Sequence, residues 1–272
     1  MKNSNLHITS DRYALITGAA SGMGRIYAQK LAQRGYNLII VDINRKGLEE
    51  TARMVQSEND STRIITLQQD LSAADAADRI FSITEEVGCE VEVLVNNAGV
   101  MYCQGIAETS ERMLKLIMSL HMTTPLLLCR KYVNGMKERG CGYILNVSSI
   151  SAWMIWPGIG MYGITKRFIR DYSRELRTEC QKTGVSVTNA YFGAVDTPLV
   201  PLKEKYRKFA RAIGVMITPE KAVSKALNAT FRRRKGTTPG LLNKILIPFM
   251  ILIPDCLLGW IYRKAKPYLM KV

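Results

Sequence analysis

Only two histidines, His7 and His121, occur among the 272 residues, and the six cysteines contain no C-x-x-C pair. Structural zinc needs four thiolate or imidazole ligands at short spacings, so no metal site is assigned. Scattered single cysteines (Cys89, Cys103, Cys129, Cys141, Cys180, Cys256) behave as small apolar residues in a reducing compartment, so a cytoplasmic location is expected. The first dozen residues lack the apolar stretch of a secretory signal. No internal repeat and no low-complexity linker is present. Acids are scarce in one region. Residues 201–272 carry 16 Lys and Arg against 3 Asp and Glu, while residues 1–200 carry 22 against 20. Nearly all of the net +15 therefore lies in the C-terminal quarter. No stacking aromatics interleave with these cations, which argues against nucleic acid as a partner.

What is present is a regular alternation. Apolar strand candidates run over Tyr13–Thr17, Asn37–Val41, Arg63–Leu67, Val91–Val95, Tyr143–Val147 and Ser186–Tyr191. Segments of helical length and period lie between them: Arg25–Arg34, Lys46–Glu58, Ala73–Val87, Glu111–Arg139 and Tyr162–Lys182. Pro125 is expected to kink the fourth of these or to sit in an early turn. Strands alternating with helices predict an α/β fold, a Rossmann-type doubly wound parallel sheet with ligands at the carboxyl ends of its strands. Residues 1–200 are expected to form the dinucleotide-binding and catalytic body. Residues 201–240 would add a substrate-loop and helical region of the same domain, and 241–272 a basic, apolar extension.

Two separated segments carry the chemistry. Thr17–Gly24 reads TGAASGMG, a glycine-rich turn between a strand and a helix. Such a turn seats a pyrophosphate on a helix N-terminus, where unpaired N–H groups and the helix dipole favour an anion. Tyr162–Lys166 reads YGITK, placing a phenol and an ammonium four residues apart on one helix face. A neighbouring cation stabilises the phenolate and pulls its pKa down from about 10. A tyrosine tuned in this way is a general acid/base for an alcohol or ketone. Asp42 ends the second strand, where an acid accepts hydrogen bonds from adenosine ribose hydroxyls and repels a 2′-phosphate. Ser21 is neutral and offers no phosphate clamp, so NAD is favoured as cofactor. NADP stays open because Arg45 and Lys46 follow closely.

TGxxxGxG, the NNAG of Asn96–Gly99, a serine thirteen residues before YxxxK, and the GxxxT of Gly193–Thr197 occur in this order. Together they resemble the short-chain dehydrogenases/reductases over roughly Tyr13–Leu199. The resemblance implies a cofactor site formed by Gly18, Ser21, Gly22, Met23, Gly24, Asp42, Asp70, Leu71, Asn97, Ala98, Gly99, Gly193, Val195 and Thr197, with Tyr162 and Lys166. It also implies that Ser149 binds the substrate oxygen, that Tyr162 moves the proton and that Lys166 holds the nicotinamide ribose. A homodimer or homotetramer is implied as well. Two positions depart from the pattern. His121 stands where the family has an asparagine holding a relay water, and is either a relay group or a packed histidine. Phe192 replaces the proline before Gly193, and is expected to wall the nicotinamide or substrate pocket.

Met101, Trp153, Trp156 and Phe192 fall on loops that border the substrate in this family. Their bulk suits a hydrophobic alcohol or ketone, steroid-like or lipid/acyl. Leu241–Tyr262 (LLNKILIPFMILIPDCLLGWIY) lies between the cationic clusters 232–235 and 263–264. Its Lys, Pro, Asp and Gly residues argue against one spanning helix. It fits an interfacial segment on an anionic membrane surface, with 232–272 supplying the charge, or a lid or subunit arm. Against the dehydrogenase stand two other readings: a catalytically weak nucleotide sensor, and a membrane-associated interaction protein.

Overall fold

Strand β1 (Arg12–Thr17) is buried because both of its sides are paired, by β2 (Asn37–Asp42) on one and β4 (Glu90–Asn96) on the other. The sheet continues through β3 (Ile64–Gln68) beyond β2, and through β5 (Gly142–Ser149), β6 (Val185–Phe192) and the short β9 (Gly236–Thr237) beyond β4. All seven strands are parallel, in the order β3-β2-β1-β4-β5-β6-β9. A separate two-stranded ribbon pairs β7 (Ala194–Val195) with β8 (Met216–Ile217). The structure is a computed structural model describing residues 12–102, 104–153, 159–197, 207–208 and 216–269. The N-terminal segment read above for a signal therefore lies outside the described residues.

Alternate strand residues feed two cores, as the period of two requires. Ala14, Ile16, Leu38 and Ile40 pack under α1 (Gly22–Ala32), α2 (Arg45–Glu58) and α7 (Pro219–Phe231). Tyr13, Leu15, Ile39 and Val41 pack under α3 (Ala76–Glu86), α5 (Thr124–Glu138) and α6 (Gly160–Glu179). The helix starts are specified locally. Asn44 caps α2 by accepting the Gly47 N–H at 3.1 Å, and Thr218 caps α7 ahead of Pro219. The strand order reverses between β1 and β4, which opens a crevice at their carboxyl ends.

The expected long helix over 111–139 is three pieces: α4 (Glu111–Met118), a π-helical turn over Ser119–Thr123, and α5. Pro125 sits in the first turn of α5, where its missing N–H costs nothing. The C-terminal extension forms two helices, α8 (Leu241–Ile251) and α9 (Asp255–Leu269), broken at 252–254 around Pro254. Among the described residues no helix is long and apolar enough to cross a membrane.

Candidate active site

The glycine turn is forced by contact. Gly18 has φ +68°, and a Cβ there would lie 2.8 Å from the Ala98 backbone, so only glycine lets β1 and β4 approach. A Cβ on Gly24 would run into the Gly18 carbonyl, closing the space between turn and helix. Thr17 binds the two loops together. Its Oγ1 accepts the N–H groups of Asn97 (3.0 Å) and Ala98 (3.1 Å) and donates to the Val95 carbonyl. Asn97 returns its amide to the Thr17 carbonyl at 2.9 Å. Thr17 was absent from the sequence-based site, although it opens the motif. Its hydroxyl is what ties NNAG to the glycine turn.

Over this floor lies an open cleft of about 390 Å³. Gly18, Ser21, Gly22, Met23, Asp42 and Asp70 line it, and Leu71, Asn97, Ala98, Gly99 and Thr197 close its length. These are eleven of the residues read from the sequence as cofactor contacts. Ile43, Leu116 and Leu120 also line it and were not foreseen. Asp42 is anchored: one carboxylate oxygen accepts the Ala20 N–H at 3.1 Å and the other the Asn44 N–H at 3.0 Å. Each oxygen keeps a second lone pair, and Asp42 lines the cleft. Arg45 instead pairs along its helix with Glu49 at 3.0 Å.

Tyr162 and Lys166 lie on α6 and do not line the cleft themselves; Lys166 comes near it at Gly99, where a Cβ would be 3.7 Å from Nζ. Lys166 is buried, and its ammonium donates to the Val147 carbonyl at 3.0 Å and lies 5.5 Å from the centre of the Tyr162 ring. Burial pulls its pKa down to about 8. Ser148 points the other way, donating to the Lys166 carbonyl at 2.9 Å. Ser149 accepts the Ser151 N–H at 3.1 Å at the end of β5. Through its bond to the Lys166 carbonyl, Ser148 braces α6.

His121 is 1 % exposed and both ring nitrogens are engaged by protein groups. Nε2 accepts the Val100 N–H at 3.0 Å, and Nδ1 meets the Thr165 hydroxyl at 2.9 Å. That hydroxyl donates to the Tyr162 carbonyl, so Nδ1 carries the ring proton. Burial, helped by the Lys166 charge, holds the imidazole pKa well below its usual value. The neutral ring stands edge-on to Tyr162, 5.8 Å between centres.

The proposed substrate wall is partly corrected. Phe192 is the last residue of a strand buried along its whole length, and its ring packs in the core with Val195, Ile217 and Val223. Trp153 packs against Tyr191 and under the Arg170 guanidinium. Met101 is half-buried and does not line the cleft, and Trp156 lies outside the described residues. The backbone at Gly193 is instead covered from the C-terminal hairpin, where a Cβ would meet the Asn243 amide at 2.5 Å. Among the described residues no three His, Cys, Asp or Glu side chains gather at one point.

The family model for short chain dehydrogenase matches residues 12–208. The chain belongs to this family. Among relatives of this short-chain dehydrogenase, very-long-chain 3-oxoacyl-CoA reductase-A of Danio rerio is 27% identical, covering 94% of this chain and 74% of the reductase. The 17-beta-hydroxysteroid dehydrogenase type 3 of Danio rerio is 32% identical, covering 67% of this chain and 60% of that protein. A short-chain dehydrogenase from Sphingobium yanoikuyae, solved in complex with NADPH, superposes with a TM-score of 0.75 at 24% identity, over 89% of this chain and 96% of that one. It shares the fold.

Proposed function

We propose that this protein interconverts a hydrophobic secondary alcohol and its ketone, steroid-like or lipid/acyl, using a nicotinamide dinucleotide and preferring NAD(H). The observation that carries the reading is Lys166. A buried ammonium has three N–H donors, and the described residues take one of them, through Val147. Nζ lies beside Gly99, a residue of the cleft, where a Cβ would be 3.7 Å away. A sugar's vicinal hydroxyls suit its remaining donors, and the same charge stabilises a Tyr162 phenolate.

The bound nicotinamide supplies the hydride donor or acceptor. The protein's share is proton transfer and positioning. Ser149 holds the substrate oxygen, and Tyr162 takes its proton in oxidation and returns it in reduction. His121 fixes the loop at Val100 relative to α6 and keeps its own proton out of the exchange. Asp42 addresses the adenosine ribose hydroxyls, and the positive end of α1 takes the pyrophosphate. The pairing of Arg45 with Glu49 supports NAD(H), because it leaves Asp42 as the charge nearest the ribose. The hydrophobic substrate class draws support from the names of the reductase and hydroxysteroid dehydrogenase relatives.

The test is a panel of steroid and long-chain ketones and alcohols with both nicotinamide cofactors, followed at nicotinamide absorbance. Tyr162→Phe should keep cofactor binding and lower turnover about 10²-fold or more. Turnover that survives this change would remove the mechanism.

A further inference from the structure

The C-terminal hairpin has two unlike faces. On the inner face Asn243 and Ile247 lie one turn apart on α8, and Leu258 and Tyr262 one turn apart on α9. Leu258 packs with Ile253 and with Ile150, the residue after Ser149, and Asn243 covers Gly193. On the outer face Leu257, Trp260 and Lys264 share one side of α9, spaced three and four residues apart. At the bend Phe249 is 66% exposed and Leu252 78%, with Ile251 and Trp260 each 53%. These side chains together form an apolar surface of a kind that folded proteins keep for a partner.

Charge decides which partner. Residues 241–272 contain five Lys and Arg against one acid, Asp255. Lys244, Arg263 and Lys264 are all exposed on the two helices that carry the apolar side chains. A second copy docking face to face would bring like charges together. Anionic headgroups beside an acyl layer match both features at once.

We propose that the hairpin over 241–269 is a docking surface for an anionic lipid bilayer, entered by Phe249, Ile251, Leu252 and Trp260 and flanked by Lys244, Arg263 and Lys264. The second cationic cluster takes no part. Arg232–Lys235 adjoins the hairpin in sequence but is held toward the amino-terminal side of the sheet. Arg233 donates to the Gly184 carbonyl, before β6 begins, and Thr188 donates to the carbonyl of Arg234. The hairpin instead follows the carboxyl end of β9. With its inner face beside Ser149 and Gly193, docking sets the proposed substrate entrance against the bilayer. That last consequence rests on the oxidoreductase reading; the docking itself does not.

The experiment is flotation of the full chain with vesicles of phosphatidylcholine alone or mixed with phosphatidylserine, with sedimentation velocity on the same samples. The expected result is binding to the mixed vesicles that weakens with salt. The triple change Lys244→Gln, Arg263→Gln and Lys264→Gln should weaken it about a hundredfold, at roughly fivefold per cation. Phe249→Ser with Leu252→Ser and Trp260→Ser should abolish it, since all three side chains are exposed and none supports the core. Changing Arg232, Arg233, Arg234 and Lys235 to Gln should leave it within about twofold. The proposal is overturned if the wild-type chain ignores both vesicle types. A concentration-dependent dimer lost in the serine variant, without vesicle binding, overturns it in favour of a subunit interface. Equal loss with the 232–235 variant overturns the assignment to the hairpin. Turnover measured without vesicles keeps a failure here separate from a failure of the enzymatic reading.

Discussion

The imidazole Nε2 of His121 accepts the backbone N–H of Val100 at 3.0 Å while Nδ1 meets the Thr165 hydroxyl at 2.9 Å, so one ring joins the loop after NNAG to the helix bearing Tyr162 and Lys166. A neutral ring is required, because a protonated Nε2 could not accept. The native state therefore resists protonation, while the unfolded chain takes up a proton below about pH 6.5.

A pH dependence follows for the fold. The folded pKa of His121 lies below its unfolded value, so in acid the unfolded state binds one proton more and stability falls. Denaturant unfolding of wild type should lose at most about 2 kcal/mol to this group between about pH 6.5 and pH 5. His121→Asn, whose amide oxygen can still accept the Val100 N–H, should flatten that slope while keeping most of the turnover. An unchanged slope would mean that the ring is protonated in the native state.

Lys166 is shifted in the same direction, with its window at higher pH. Its folded value of about 8 lies below the usual 10.5, so between these values the unfolded chain holds a proton that the folded one has shed. Stability should rise with pH through that window by about 3 kcal/mol in the cofactor-free protein. Below about pH 8 both states are charged and the full cost of burying the ammonium is present. Lys166→Met should remove the rise and be the more stable protein at neutral pH, yet bind cofactor poorly. The comparison is made by unfolding midpoints at several pH values.

Asp42 serves the loop as well as the cofactor, so its replacement should have two effects. Asp42→Ala leaves the Ala20 and Asn44 N–H groups without their partner and should cost about 1–3 kcal/mol. It should also shift the ratio of kcat/KM values toward NADP(H). If wild type already prefers NADP(H), carboxylate repulsion at this position is not what selects the cofactor.

The strands were legible because β1, β2, β4, β5 and β6 are six to eight residues long, at least half apolar and bounded by turns. The two-residue β7, β8 and β9 are held by pairing alone and carry no periodic signal. The cofactor end of the site was legible for a related reason. A glycine forced by Ala98 at 2.8 Å leaves a mark that survives in the letters. Phe192 misled because aromatic identity says nothing about direction, and on β6 both faces are buried. Adjacency in sequence also hides position in space: the short edge strand β9 lies between Lys235 and Lys244.

The wide turn over Ser119–Thr123 has a consequence for how one segment faces the protein interior. Ile117, His121, Pro125, Cys129 and Val133 recur every fourth residue, and all five are buried. In a straight α-helix each such step slips about 40° around the axis, some 160° from first to last. The slackened winding at the π turn takes up part of that slip. One polypeptide run can then hold a histidine against Tyr162 and still lay its next three turns flat on the sheet, in phase with both.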